Sequence, residues 1–153
     1  MNYERSQARR IALQSLYQLD VQGSDYIVDN HLSEFIAEAT SDPKVREIAY
    51  FMAKSAWQFH DQADLWFGRL AEKWSVSRMA TVDRNILRLA AWEIVNYPQT
   101  PPKVVIDEAL NIAKEFSTAD SSAFINGLLD SLMKEHLLLT GKTLAELEPK
   151  PES

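Results

Sequence analysis

Three arginines that could bind phosphate stand close together near the start of the chain, at Arg5, Arg9 and Arg10. Arginine suits phosphate because its planar guanidinium donates two parallel hydrogen bonds. The solvated end of a helix produces the same pattern and is its more frequent cause. The formal net charge of the chain is −6, so any nucleic-acid site must be local and small.

A second candidate binding segment begins at Asp120 and ends at Gly127, where the sequence predicts the start of the last helix. Free backbone N–H groups at a helix start attract phosphate. The candidate side chains in this segment are Ser121, Phe124 and Asn126. Phe124 falls at the edge of the apolar arc of the helix. We give equal weight to two interpretations of Phe124: it stacks on an unpaired base, or it packs at the margin of the core.

The chain offers little that indicates catalysis or metal binding. His60 and Asp64 are four residues apart, as in a two-ligand metal site, but no further His or Cys completes one, and a polar helix break is preferred. Glu93 stands in an apolar arc, and we interpret it as a structural carboxylate bound by an arginine or a helix N-terminus. The four glycines form no phosphate-binding loop. We therefore predict no catalytic residue, no metal and no cofactor.

Composition indicates an all-α protein. The 153 residues are 46% apolar, include only four glycines and lack cysteine, which excludes a disulfide framework and a Cys-ligated zinc site. No apolar run is typical of a signal peptide or long enough to span a bilayer, so we expect a cytoplasmic protein.

Apolar periodicity predicts six to seven helices in two packed three-helix bundles. The predicted helices cover about 3–19, 28–39, 43–74 with a break near His60-Asp61, 82–96, 103–116 and 121–138. We expect Asp42 to cap the helix that Pro43 begins, and Asp120 to cap the last helix. The N-terminal bundle would be residues 1–76 and the C-terminal bundle 77–140, within one compact domain, followed by a loosely held tail at 141–153.

Four blocks of the sequence resemble the NusB family of bacterial transcription antitermination factors. The blocks are ARRIALQSLY at 8–17, VDRNILRLAAWE at 82–93, PKVVIDEA at 102–109, and 120–130 with FING at its centre. They occur in the family's order, whereas residues 26–74 agree only in helical pattern and length.

The resemblance implies an all-helical fold of two three-helix bundles and a function in binding. NusB proteins pair with NusE, which is also a small-subunit ribosomal protein, and the pair binds the single-stranded boxA element of ribosomal-RNA leaders. By matching motifs, the implied RNA contacts are Arg9, Arg10 and Phe124, with Arg5 ranked behind them. The implied partner contacts are Tyr17, Asp83 and Asp120.

Departures from the family pattern bear on affinity. Ser6 and Gln7 interrupt what is a denser arginine run in many relatives, and Ala123 stands where a basic residue is common. Low RNA affinity without the partner protein would follow.

Two other functions compete with this interpretation. Some relatives form homodimers that bury the RNA surface. The same domain also precedes a ribosomal-RNA methyltransferase in longer chains, but no cofactor domain is present here, so methylation by this chain alone is not expected.

Overall fold

The computed structural model describes residues 3–71 and 75–141, and in this part of the chain the regular secondary structure is all helical, without strands. The helices are α1 Tyr3–Gln22, α2 Asp25–Val28, α3 His31–Ala39, α4 Pro43–Leu70, α5 Thr81–Asn96, α6 Pro102–Phe116 and α7 Ala119–Thr140, with a 3-10 turn at Val76–Arg78. The predicted all-α class and helix number are confirmed. None of the described helices combines the length and apolar character needed to cross a membrane.

Helix α5 lies at the centre of the fold. Eleven of its 16 residues are buried, and it packs against α1, α4, α6 and α7. A helix surrounded in this way must be apolar on most of its circumference, as this one is. Buried side chains from both halves of the chain join one continuous core. The division at 76/77 remains a prediction about how the helices group.

The predicted break at His60-Asp61 is wrong, because α4 is one helix of 28 residues. Neither residue breaks a helix as proline does. The apolar stripe also continues past this point, through Ala56, Ala63 and Phe67, all buried. Packing of that stripe against α1 and α5 stabilises the helix along its length.

The second predicted helix, 28–39, is divided into α2 and α3. Asn30 lies between them with φ 63°, in the left-handed region that asparagine tolerates better than most residues. Helix α1 ends at Gln22, beyond the predicted end at residue 19. Gly23 has φ 88°, and its N–H donates to the Leu19 carbonyl at 2.7 Å.

One of the two predicted helix caps is confirmed. Asp42 accepts a hydrogen bond from the Lys44 N–H at 2.9 Å at the start of α4. At α7 the predicted cap Asp120 is wrong, because Thr118 accepts from the Ser121 N–H at 3.2 Å. Thr118 has the extended backbone of an N-cap, and Asp120 lies inside the first turn, where its charge complements the helix dipole. The predicted tail lies outside the described residues from 142 onward.

Candidate functional site

Arg9 and Glu93 form a buried ion pair between α1 and α5. Arg9 Nε donates to Glu93 Oε1 at 2.9 Å and Arg9 Nη2 to Oε2 at 2.7 Å. The two side chains are only 6% and 1% exposed. Burial raises the pKa of Glu93, but the hydrogen bonds and charge of Arg9 outweigh it, so the pKa lies below its usual value. Glu93 is thus the arginine-bound structural carboxylate that the sequence predicts.

Arg5 joins the same carboxylate from the opening turn of α1. Its Nη2 lies 3.3 Å from Glu93 Oε2, and its Nη1 donates to the Tyr97 hydroxyl at 3.3 Å. The guanidinium carbon also lies 4.5 Å from the centre of the Tyr97 ring, within reach of a cation–π interaction. Two of the three N-terminal arginines therefore converge on one internal anion.

Arg10 is the exposed member of the arginine cluster. Its Nε donates to Glu115 of α6 at 2.7 Å, with both side chains partly in solvent, at 36% and 48% exposure. An exposed pair of this kind contributes little to stability, about 0–1 kcal/mol. The Arg10 guanidinium can therefore exchange its carboxylate partner for a phosphate at small cost.

An apolar cleft of about 340 Å³ adjoins the exposed face of α1. Its lining includes Gln14 and Tyr17 of α1, Phe35 of α3, Val82 of α5 and Phe116 of α6. Tyr17 remains 39% exposed at the edge of this cleft. An apolar depression with a partly exposed tyrosine is typical of a protein-binding surface.

Asp83 ties three helices together at the start of α5. Its two carboxylate oxygens accept from Ser117 Oγ at 2.5 Å and from Ser121 Oγ at 2.7 Å. The residue is 7% exposed, so both oxygens face the protein. The end of α6 and the start of α7 are thereby held in fixed positions beside the start of α5.

A second cleft, of about 310 Å³, lies at this junction and contains Phe124. Asp83, Asp120 and Ser121 line it, and Phe124 is partly buried against the core. The cleft also includes Arg78, an exposed basic residue that was not predicted from the sequence. Arg78 lies in the 3-10 turn, where no helical periodicity could place it. Asn126 is exposed further along α7, outside the lining of this cleft.

The C-terminal end of α6 joins the two clefts. Glu115 pairs with Arg10, Phe116 lines the apolar cleft, and Ser117 binds the carboxylate that lines the cleft of Phe124. Three consecutive residues thus link Arg10 and Tyr17 on α1 with Phe124 on α7. The arrangement can bind an extended chain, with a cation at one end and an aromatic ring at the other.

His60 and Asp64 do not act together. Asp64 accepts two hydrogen bonds from Arg88, at 2.8 Å and 2.7 Å. The His60 ring stacks on Trp57, and its Nδ1 contacts the Trp57 carbonyl oxygen. Among the described residues, no three acidic or histidine side chains are grouped to hold a metal ion.

Comparisons with known proteins agree on one family. The family model described as NusB family matches residues 6–134. The transcription antitermination protein NusB of Symbiobacterium thermophilum is 38% identical over 138 residues, which cover 85% of this chain and 89% of that protein. Its namesake from Desulforapulum autotrophicum is 42% identical over 131 residues, covering 84% and 90%.

Solved structures share the fold. T. maritima NusB is 32% identical, with a TM-score of 0.76, and the match covers 95% of this chain and 97% of that one. A structure of the antitermination factors NusB and NusE in complex with double-stranded RNA matches with a TM-score of 0.77 over 88% of this chain and 99% of that one. At 24% identity, the latter likeness concerns the fold alone.

Proposed function

The chain belongs to the NusB family, and from that premise we propose that it is a transcription antitermination factor. It binds boxA-type single-stranded RNA of ribosomal-RNA leaders together with the ribosomal protein NusE, within the RNA polymerase antitermination complex. It acts in the cytoplasm, by binding and not by catalysis. A structure of NusB and NusE with RNA has this fold, which supports the proposal.

The observation that carries the proposal is the connection of Arg10 to Phe124 through residues 115–117. An unpaired RNA strand offers phosphates and splayed bases at short intervals along its backbone. Arg10 binds a phosphate, and Phe124 stacks on a base. Ser121 contributes a polar contact at the start of α7, close to the free backbone N–H groups there, and Asn126 contributes one from its exposed position further along the helix.

Arg5 and Arg9 differ from Arg10 in this proposal. Arg9 holds α1 against α5 through Glu93 and thereby positions the part of α1 that carries Arg10. Arg5 is 18% exposed and lies beside the RNA path, where it is a weaker contact than Arg10. Ser6 attaches α1 to α6 by donating to Glu108 at 3.0 Å.

NusE occupies the apolar cleft beside Tyr17 in this proposal. The tyrosine supplies both apolar area and a hydroxyl, as is common at the energetic centre of an interface. Asp120 is a charged contact at the neighbouring cleft. Asp83 supports the surface from inside, because both its carboxylate oxygens accept from Ser117 and Ser121.

A gel shift with a boxA oligonucleotide, with and without NusE, tests the function. We expect weak binding by the chain alone and a stable ternary complex when NusE is added. Light scattering on the same samples tests the homodimer, which would dissociate when RNA and NusE bind. Failure to bind boxA RNA at low salt, even with NusE, would refute the proposed function.

A further inference from the structure

We infer that the aromatic cleft between α4 and the C-terminal end of α5 is an additional binding site for an unpaired nucleobase of the same RNA. The inference rests on the proposed function and extends its RNA path beyond Arg5. It concerns a cleft that shares no lining residue with the clefts of Tyr17 and Phe124.

The cleft has a volume of about 430 Å³ and aromatic walls. Phe51 of α4 packs edge-on against Trp92 of α5, with ring centres 5.6 Å apart at 73°, and Tyr97 completes the wall. Phe51 nevertheless remains 51% exposed. A large aromatic side chain that keeps half its surface in water offers a ring for stacking.

Amide side chains line the rest of the cleft, at Gln58, Gln62 and Asn96. Each amide carries donors and an acceptor, the combination that pairs with the edge of a base such as adenine. The lining contains no acidic side chain, although the chain has a net charge of −6. It contains no lysine or arginine either, so a base would enter the cleft and the phosphate would stay outside it.

Tyr97 connects this cleft to α1, the helix that carries Arg5 and Arg10. It lines the cleft, its hydroxyl accepts a hydrogen bond from Arg5, and its ring lies beneath the Arg5 guanidinium. A strand that leaves Arg10 towards the start of α1 therefore reaches Arg5 and then Tyr97. A phosphate beside Arg5 would place the next base over the cleft.

The test compares RNA lengths in the presence of NusE. The oligonucleotides are boxA alone and boxA extended by several unpaired nucleotides on either the 5′ or the 3′ side. With the wild-type chain, one extension should lower Kd about fivefold or more, because stacking of one base contributes at least that factor. Phe51→Ala should abolish this gain without changing Kd for boxA alone, and Gln62→Ala should reduce it.

Leu65→Ala is the matched control, because Leu65 is an exposed apolar residue of α4 outside the cleft. It should retain the full gain, and thermal melts should show that all three variants fold.

A gain that persists in Phe51→Ala, or no gain from either extension in the wild type, would overturn the inference while leaving boxA binding intact. Suppose instead that Phe51→Ala weakens NusE binding or self-association, and that neither extension gives a gain with the wild-type chain. The cleft would then belong to a protein partner, and the inference would be overturned. Absence of boxA binding itself would refute the proposed function and this site with it.

Discussion

Arg9 and Glu93 are 84 positions apart in sequence, yet they form a two-point ion pair in the interior, with N–O distances of 2.9 Å and 2.7 Å. The pair fastens α1 to the central helix α5. Because Arg10 follows Arg9 directly on α1, this attachment positions the backbone of Arg10, whose side chain then pairs with Glu115. The buried pair thus links the stability of the fold to the geometry of the proposed RNA surface.

Replacing Glu93 with Gln should destabilise the protein by about 3 kcal/mol or more, because it leaves the buried Arg9 charge without its main partner. Urea denaturation would measure the change. Glu115→Gln is the control, since it removes the exposed partner of Arg10 and should change the free energy of unfolding by less than about 1 kcal/mol. Equal effects of the two substitutions would contradict this account of the pair.

Low pH should weaken the attachment of α1 to α5 through Arg9 and Glu93. The pKa of Glu93 in the folded protein lies below the usual value of 4.5, so its ionised form is favoured by folding. This contribution is complete above about pH 4.5 and is lost as the pH falls through the lower, folded-state pKa. Urea midpoints measured down to about pH 3 should fall more steeply for the wild type than for Glu93→Gln. Parallel pH profiles would show that Glu93 does not titrate as described.

Tyr17→Ala should impair NusE binding without unfolding the protein. Truncation of a tyrosine at the centre of an interface commonly costs about 2 kcal/mol, or roughly a thirtyfold rise in Kd. Isothermal titration calorimetry with NusE would measure it. Tyr3→Ala is the control on the same helix, because Tyr3 is 67% exposed and does not line the apolar cleft. Unchanged NusE affinity in Tyr17→Ala would remove the cleft from the interface.

Phe124→Ala should weaken boxA binding by about 1–3 kcal/mol through loss of base stacking. Filter binding in the presence of NusE would measure the effect, and thermal melts would test whether the partly buried ring also supports the fold. Leu138→Ala, at an exposed position near the end of the same helix, should bind RNA as the wild type does. A Phe124 variant that folds and binds boxA normally would exclude the stacking role.

Helix existence could be predicted from the sequence, because apolar spacing records which side of each helix is buried. The continuity of α4 through His60 could not, since packing against α1 and α5 decides it and leaves no local signal. The cap of α7 was assigned to Asp120 instead of Thr118 for a related reason. Both residue types cap helices, and only the backbone conformation distinguishes them.

For the candidate site, the sequence predicts the types of residue involved but not which of them remain exposed. Arg5, Arg9 and Arg10 look alike in sequence, but Glu93, which lies far along the chain, buries Arg9 and leaves Arg5 only partly exposed. Glu93 itself was recognisable, because a carboxylate in an apolar arc requires a partner. Arg78 gave no signal, since it enters the cleft of Phe124 from a short turn.

The salt dependence of boxA binding by Arg10→Ala tests the central claim most directly. Each phosphate neutralised on a single strand contributes about −0.7 to the slope of log K against log salt concentration. With NusE present, Arg10→Ala should reduce the steepness by about 0.7 and weaken binding. Arg69→Ala removes a comparable exposed arginine that pairs with Glu135, and it should leave the slope unchanged. An unchanged slope and affinity in Arg10→Ala would contradict the placement of RNA on this face.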